Sequence, residues 1–305
     1  MAKLRGPHLS TPLTLLGSDR DALLRGDEGI LAPGDDARYL VSRAGAVALR
    51  EDEDGTLHAV LETEDPRGGT LQPLVLLGRR EGYRVLAVEV PEPSAELDDP
   101  GRDLRDLRRV ADRLHERDAD LAAAAVAMGF WHRSMRHCPQ CGAVLEAEMA
   151  GWVLRCPEDG IEQFPRTDAA VIMAVRDGKD RLLLARNAHF PAGFHSVLAG
   201  FVEPGESLEN AVAREVGEEV GITVEEVEYV GSQPWPFPRS LMLGYRAWAP
   251  GADELTLQDE EIAEARWFTR EELGAALEAE EIELPGAASM GRALIDDWYG
   301  RSAER

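Results

Sequence analysis

The chain has 305 residues, of which 44% are hydrophobic and 30% charged, so it is long enough for two or three domains with ordinary buried cores. Its formal net charge of −24 argues against a nucleic-acid coat or an anionic membrane surface as a general partner. No apolar run is long enough for a spanning helix, and residues 1–10 do not resemble an export signal. Three cysteines are too few for a disulfide framework, so we expect a cytoplasmic protein.

The first third of the chain consists of short apolar segments broken by glycine, proline and acidic residues, a pattern that predicts β-strands. A linker is expected at residues 91–101, where prolines and acidic residues cluster. Apolar residues at helical spacing then predict helices near 104–114 and 121–132. We interpret residues 1–130 as a mainly β N-terminal scaffold or dimerisation domain. Its strands are expected at residues 39–41, 46–49, 57–61, 74–77 and 83–90.

The next segment, residues 131–165, contains all three cysteines and resembles a zinc ribbon. Cys138-Pro-Gln-Cys141-Gly and Cys156-Pro-Glu-Asp159-Gly have the spacing of two zinc knuckles, except that Asp159 replaces a fourth cysteine. Three outcomes follow from this pattern. The three cysteines and Asp159 hold a structural zinc ion, His137 or a water completes the shell, or the site is empty and packing maintains the ribbon. Three cysteines this close together in a cytoplasmic chain favour bound zinc.

Strands alternate with helices from residue 166 to the end, which predicts an α/β sandwich domain over 166–305. The expected strands cover residues 169–175, 181–185, 227–231, 241–248 and 265–268. The expected helices cover residues 208–220, 270–277 and 287–299.

Acidic residues occur at fixed offsets on the helix predicted at 208–220. Glu215, Glu218 and Glu219 are three and four residues apart, so their carboxylates share one helix face. Like charges packed together raise one another's pKa unless a cation compensates, and oxygen ligands suit Mg²⁺ or Mn²⁺. Arg214 is placed to hold one carboxylate through a bidentate contact. A solvated acidic surface is the alternative, but it does not account for the full pattern, which also includes Gly200, Glu206 and Gly221.

Residues 200–222 resemble the Nudix hydrolase signature at every position. This resemblance implies a Nudix fold and metal-assisted attack of water on a nucleoside diphosphate linked to another group. It further implies that Glu215 and Glu219 are metal ligands and that Glu218 is another ligand or part of the machinery that activates water. Which carboxylate accepts the proton is not decided by the spacing.

A second motif begins ten residues after the first and reads Ser232-Gln-Pro-Trp-Pro-Phe-Pro-Arg-Ser240. Three prolines and two aromatic residues make a stiff ledge with apolar faces, which suits an aromatic base. The alternative is a proline-rich loop packed against the core. The motif resembles the SQPWPFPxS signature of the NADH pyrophosphatases, the bacterial NudC type of Nudix hydrolase.

The closer resemblance implies cleavage of NADH or NAD⁺ to nicotinamide mononucleotide and AMP, removal of 5′-NAD caps from RNA, and a homodimer. It implies that Glu261 is a further metal ligand and that Phe201 stacks on the base, together with Phe164 of the partner chain. The remaining substrate contacts that the resemblance implies are Gln233, Trp235, Phe237, Ser240 and Gly291.

Three functional hypotheses therefore compete. The first is a hydrolase of free NADH or NAD⁺, and the second is an enzyme whose main biological substrate is NAD-capped RNA. For the RNA substrate, a locally basic funnel is required, with Arg166, Arg186 and Arg239 as candidates. The third is a dinucleotide-sensing module that binds without cutting, which the complete set of glutamates disfavours.

Overall fold

The computed structural model describes residues 9, 11–14, 18–67, 74–90, 102–251, 254–257 and 261–300. The linker expected at 91–101 lies outside these residues. The chain divides into two compact units. The C-terminal unit is made of Met1–Thr11, Asp168–Gln233 and Ser240–Arg305, and the N-terminal unit of Pro12–Thr167 and Pro234–Arg239. None of the described helices has the length and apolar character needed to cross a membrane.

The N-terminal unit is built on a seven-stranded sheet with the order β3-β2-β1-β6-β5, in which β4 pairs with β1 and β7 with β2. β1 and β6 run parallel, and their inward side chains form an aliphatic core with Tyr39 and Leu86. These strands are β1 (Ala37–Arg43), β2 (Ala46–Glu51), β3 (Leu57–Ala59), β4 (Leu61–Glu62), β5 (Leu74–Arg80), β6 (Tyr83–Glu89) and β7 (Leu104–Asp106).

Two helices follow the sheet, α1 (Leu107–Val110) and α2 (Ala119–Ser134). The alanines of α2 are buried, and their small side chains let this helix pack closely on β1 and β6. The helix expected at 121–132 is therefore confirmed. The helix expected near 104–114 is confirmed only in part: Leu107–Val110 forms one helical turn and a 3₁₀ turn follows, but Leu104–Asp106 pairs with β2 as a strand.

The cysteine-bearing segment forms a small antiparallel sheet with the order β10-β9-β8. Its strands are β8 (Glu146–Glu148), β9 (Val153–Arg155) and β10 (Glu162–Gln163).

The C-terminal unit has a six-stranded mixed sheet with the order β14-β15-β11-β12-β16, and β13 pairs with β11. Alternation along β11 sends Ile172 towards one face and Val171 and Met173 towards the other. The strands are β11 (Asp168–Arg176), β12 (Leu182–Asn187), β13 (Leu198–Phe201), β14 (Glu226–Trp235), β15 (Ser240–Trp248) and β16 (Ile262–Phe268). The helices are α3 (Leu208–Val220), α4 (Arg270–Glu278) and α5 (Met290–Tyr299).

Helices cover both faces of this sheet, which confirms the α/β/α sandwich. On one face α4 and α5 contribute Leu273, Leu294 and Trp298 to a buried cluster. On the other face α3 contributes Val212 and Val216. Because one side of α3 packs in this core, its polar side chains lie on the opposite side of the helix.

A glycine in the N-terminal unit tests the packing of β5. Gly78 has φ +144, and an added Cβ would lie 2.0 Å from the carbonyl oxygen of Asp19, whose backbone pairs with Arg79. We expect Gly78→Ala to lower the free energy of unfolding by about 3 kcal/mol or more, because the backbone must move. The control is Gly82→Ala, with φ +88 and open space around the new methyl group, which should cost only about 1–2 kcal/mol. Urea unfolding followed by circular dichroism measures both, and equal losses would contradict the packing around Gly78.

Candidate active site

Helix α3 begins and ends on residues that suit those positions. The Ser207 hydroxyl accepts a hydrogen bond from the Asn210 amide at 3.3 Å, which caps the first turn. Gly221 ends the helix in the left-handed region at φ 71, where glycine carries no steric penalty. The glutamates of the acidic face thus lie on a well-defined helix of thirteen residues.

Gly200 on β13 makes room for the first of these glutamates. A Cβ at this position would lie 1.9 Å from Cδ of Glu215 and 2.1 Å from its Oε1. The carboxylate of Glu215 therefore rests directly against the backbone of the strand, and only glycine allows this approach. Glycine at position 200 is thus a packing requirement of the site.

Arg214 links the acidic residues to one another. Its guanidinium donates to both carboxylate oxygens of Glu206, at 2.8 and 3.0 Å, which is the bidentate contact expected from the sequence. The same group donates to Glu215 at 2.8 Å, to Glu218 at 2.9 Å and to the carbonyl oxygen of Phe201 at 2.9 Å. The guanidinium of Arg214 therefore fixes three carboxylates and the end of β13.

The pKa values show which negative charges Arg214 compensates and which it does not. It holds the pKa of Glu206 below its usual range. Burial raises the pKa of Glu215, Arg214 opposes this rise, and repulsion from Glu218 and Glu261 adds to it. A divalent cation beside these carboxylates would offset both the cost of burying their charge and the repulsion between them, so the residues present fit a metal ion.

Two further glutamates complete the cluster. Glu219 is only 4% exposed although it carries an ionisable group. Glu261, directly before β16, is close enough to repel the charge of Glu215. Its Oε1 accepts a hydrogen bond from Asn187 Nδ2 at 2.9 Å, and its carbonyl oxygen accepts one from the Ala188 amide at 2.7 Å. The end of β12 thus orients Glu261, a role that the sequence analysis did not assign to Asn187.

The cysteine-bearing segment contains two knuckles with matching backbone bonds. Cys138 N–H donates at 2.8 Å and Cys156 N–H at 2.9 Å, each to the carbonyl oxygen five residues later. Asp159 takes the same place in the second knuckle as Cys141 takes in the first. The substitution has therefore left the turn geometry intact.

The four side chains converge with the dimensions of a zinc site. Cys138 Sγ lies 3.3 Å from Asp159 Oδ2, and Cys141 Sγ lies 3.4 Å from Cys156 Sγ. All four ligand atoms lie within 4.8 Å of one another, and a tetrahedral ion with Zn–S bonds of about 2.3 Å separates its ligands by about 3.8 Å. Asp159 Oδ1 accepts the Ile161 amide at 3.0 Å, which leaves Oδ2 facing the sulfurs.

The ionisation of this group also suits a cation. The Ile161 amide, followed by the Cys156 thiol, lowers the pKa of Asp159 to about 2, so its carboxylate stays charged. The Ala143 amide lowers the pKa of Cys141, but the hydrogen bond with Cys156, partial desolvation and the contacts with Asp159 and Cys138 together outweigh it and raise the pKa to about 12. A bound ion would replace these thiol protons, because the thiolate is the ligand form.

Three family models match consecutive parts of the chain. Residues 165–287 match the NUDIX domain model, residues 22–131 the NADH pyrophosphatase-like rudimentary NUDIX domain, and residues 133–164 the NADH pyrophosphatase zinc ribbon domain. The protein named NAD-capped RNA hydrolase NudC in Mycobacterium bovis (strain BCG / Pasteur 1173P2) is 42% identical over 307 aligned positions, covering 94% of each chain. Its namesake in Pseudomonas aeruginosa (strain LESB58) is 40% identical, covering 74% of this chain and 76% of that one.

The chain is a Nudix hydrolase. More closely, it belongs to the NADH pyrophosphatase branch that includes these NudC proteins. The resemblance drawn from its two motifs is thereby confirmed.

In this Nudix hydrolase two phenylalanines expected to bind substrate are exposed. Phe201 ends β13, next to Gly200, and is 59% exposed, while Phe164 in the N-terminal unit is 61% exposed. Trp235 and Phe237 are half-buried and pack edge to face with centroids 5.0 Å apart. Large exposed aromatic faces are costly in water, so Phe164 and Phe201 are suited to stacking on a ligand or a partner.

Gln233 occupies a different environment from the other motif residues. It is 0% exposed, its Nε2 donates to the Ala288 carbonyl at 2.7 Å, and its Oε1 accepts the Met290 amide at 2.8 Å. Instead of facing a ligand, its amide fixes the start of α5. The adjacent Gly291, in the first turn of that helix, is also buried, and Ser240 begins β15 half-buried.

The approach of Glu215 to the strand is tested by Gly200→Ala. We expect a 10- to 100-fold loss of Mn²⁺ affinity, because the new methyl group displaces a carboxylate of the cluster. The matched control is Gly217→Ala on α3, where the nearest atom would be 3.8 Å away. That variant should keep its Mn²⁺ affinity and gain about 0.5–1 kcal/mol of stability. Calorimetric titration with Mn²⁺ measures the affinity, and unchanged binding by Gly200→Ala would contradict the close approach.

Proposed function

We propose that this chain hydrolyses the pyrophosphate bond of NADH or NAD⁺, using water to give AMP and nicotinamide mononucleotide in its reduced or oxidised form. The observation that carries the proposal is the carboxylate cluster held by Arg214 against Gly200. Membership of the NADH pyrophosphatase branch supports the choice of substrate.

The metal in this proposal is Mg²⁺ or Mn²⁺, held by Glu215, Glu218, Glu219 and Glu261. When bound, such an ion neutralises charge on the phosphoryl oxygens and lowers the pKa of water. Glu215 and Glu219 are the more buried of the helix glutamates, which suits ligands with fixed positions. The side chain of Glu218 is 59% exposed, so we assign to it the exchange of the water's proton with solvent.

Arg214 and Phe201 have separate roles in this scheme. Arg214 acts as a positioning residue, because its hydrogen bonds hold Glu215 and Glu218 while its backbone contact holds the end of β13. Phe201 offers an exposed ring next to Gly200 for a base, a contact worth about 1–3 kcal/mol. Trp235, Phe237, Ser240 and Gly291 are proposed to line the rest of the substrate site.

We also propose a homodimer in which the exposed Phe164 of one chain completes the base site of the other. The exposed ring supports this, since burial in a partner would remove its contact with water. We also propose that the protein is located in the cytoplasm.

The variant Glu219→Gln tests the catalytic role of the cluster. The amide keeps the size of the side chain but removes the charge, so we expect turnover of NADH in Mg²⁺ or Mn²⁺ to fall at least about 1,000-fold with the fold preserved. The control is Glu209→Gln, an exposed residue in the first turn of the same helix, which should keep its activity. Release of AMP measures both rates. Wild-type turnover in Glu219→Gln would remove this residue from the mechanism, and NADH binding without AMP release in the wild type would favour a sensing module.

NAD-capped RNA is the second candidate substrate, since the relatives carry the name NAD-capped RNA hydrolase. The acidic chain predicts weak contact with an RNA backbone outside the cap. We therefore expect kcat/KM for a 5′-NAD oligonucleotide to stay within about tenfold of that for free NADH. A much larger preference for the oligonucleotide would favour RNA as the main substrate, and loss of that preference in charge-removing variants of Arg166, Arg186 and Arg239 would locate the backbone contacts.

For the ribbon we propose a structural zinc ion held by Cys138, Cys141, Cys156 and Asp159. Zinc affinity should fall at least about tenfold in Asp159→Asn, because the amide loses the charge that the ion requires. Glu158→Gln, an exposed neighbour, is the control and should bind as the wild type does. Competition with a zinc chelator measures the affinity. Full affinity in Asp159→Asn would favour His137 or a water as the fourth ligand, and absence of zinc from the wild type would leave packing to maintain the ribbon.

A further inference from the structure

A second cluster of metal-ligand side chains lies in the N-terminal unit, outside the acidic helix and the ribbon. It consists of His58, His115 and Asp118. Backbone pairing brings them together, because Leu57 bridges Leu114 and the His115 amide donates to the Leu57 carbonyl at 2.8 Å. The Asp118 amide then donates to the His115 carbonyl at 2.9 Å, directly before α2 begins. His58 is thus fixed beside His115 and Asp118, which lie more than fifty residues further along the chain.

We propose that these three residues hold a divalent transition-metal ion, with zinc as the expected ion. One ligand atom from each residue lies within 4.8 Å of the other two. The two imidazole rings are stacked with centroids 4.8 Å apart, and Asp118 is buried while both histidines are half-buried. Two imidazole nitrogens and one carboxylate oxygen are a donor set that zinc accepts, with a water in the fourth position.

The hydrogen bonds of His58 support a cation between it and Asp118. Its Nε2 lies 2.9 Å from Asp52 Oδ2, and since a carboxylate accepts, that nitrogen carries the proton. In the neutral ring the lone pair of Nδ1 then faces Asp118 Oδ2 at 3.4 Å. A metal ion between these two atoms would be held by both lone pairs. A tetrahedral zinc ion with N and O ligands at about 2.0–2.1 Å separates them by about 3.4 Å.

The outer partners of the cluster are those that metal ligands usually have. Asp52 orients His58 through the nitrogen that faces away from the site. Arg80 donates to the other oxygen of Asp118, and the Ala59 amide donates to Oδ2 at 3.2 Å, which leaves that oxygen a second lone pair. Asp118 and Asp120 share the guanidinium of Arg80, and Asp52 pairs with Arg50, so these three carboxylates exceed the two guanidinium groups by one charge, which a bound cation would offset.

Binding replaces one existing contact. His115 Nδ1 accepts the Arg117 amide at 3.2 Å, and the ring gives up this bond whichever of its nitrogens ligates the ion. Arg117 is exposed, so water can take over as the acceptor for its amide. The ion would tie β3 to the turn before α2, and because it binds only the folded form, it would stabilise the N-terminal unit.

The test uses the full chain equilibrated with zinc and freed of unbound metal, and compares the zinc content of wild type, His115→Asn and Glu116→Gln. Glu116 lies in the same turn and is exposed, so it serves as the matched control. We expect wild type and Glu116→Gln to hold one zinc ion more per chain than His115→Asn. Zinc should also raise the thermal midpoint of the first two more than that of His115→Asn. Equal zinc content in all three would overturn the proposal.

X-ray absorption at the zinc edge of the wild type and of His115→Asn gives a second, independent readout. If the ribbon alone binds zinc, each ion has about three sulfur neighbours. If both sites bind, three sulfurs are shared between two ions, which gives an average of about 1.5. An average of about 1.5 in the wild type that rises in His115→Asn supports the site, and a wild-type value of three, or an average unchanged in His115→Asn, contradicts it.

Discussion

The candidate active site of the C-terminal unit depends on the crowding of several carboxylates around one guanidinium. Arg214 donates to Glu206, Glu215 and Glu218 at 2.8 to 3.0 Å, and one positive charge cannot balance them all. Burial and the nearby Glu261 leave the pKa of Glu215 raised despite this contact. The residual negative charge suits the cluster to divalent cations, and the proposed hydrolysis depends on it.

The sandwich fold supplies the rigidity that such crowding requires. Apolar residues fix α3 in the core on one face of the sheet, so its acidic face is presented in a single orientation. Gly200 on β13 receives Glu215, and the end of β12 orients Glu261 through Asn187. Glu261, before β16, therefore converges with residues of β12, β13 and α3, because the sheet places the ends of these elements close together.

The sequence predicts the local parts of this arrangement well. Helix α3 could be predicted because its periodicity and Gly221 are local signals, and the spacing of the glutamates determines their shared face. The contact between Asn187 and Glu261 could not be predicted, because strand pairing across 74 residues creates it. Likewise the apolar spacing of residues 104–114 suggests a helix, but pairing with β2 makes the first part a strand. The motif that contains Gln233 indicates substrate contact, whereas burial of this residue assigns it to the support of α5.

The central claim is that the carboxylate cluster binds the divalent ions that allow water to cleave a diphosphate. Mass spectrometry of NADH incubated with the chain in ¹⁸O-labelled water, with and without Mg²⁺ or Mn²⁺, tests it most directly. The account predicts equal amounts of AMP and reduced nicotinamide mononucleotide, one labelled oxygen in one of the two products, and no cleavage without metal. A folded sample that leaves NADH intact in both metals, or cleaves it equally well without them, would contradict the account.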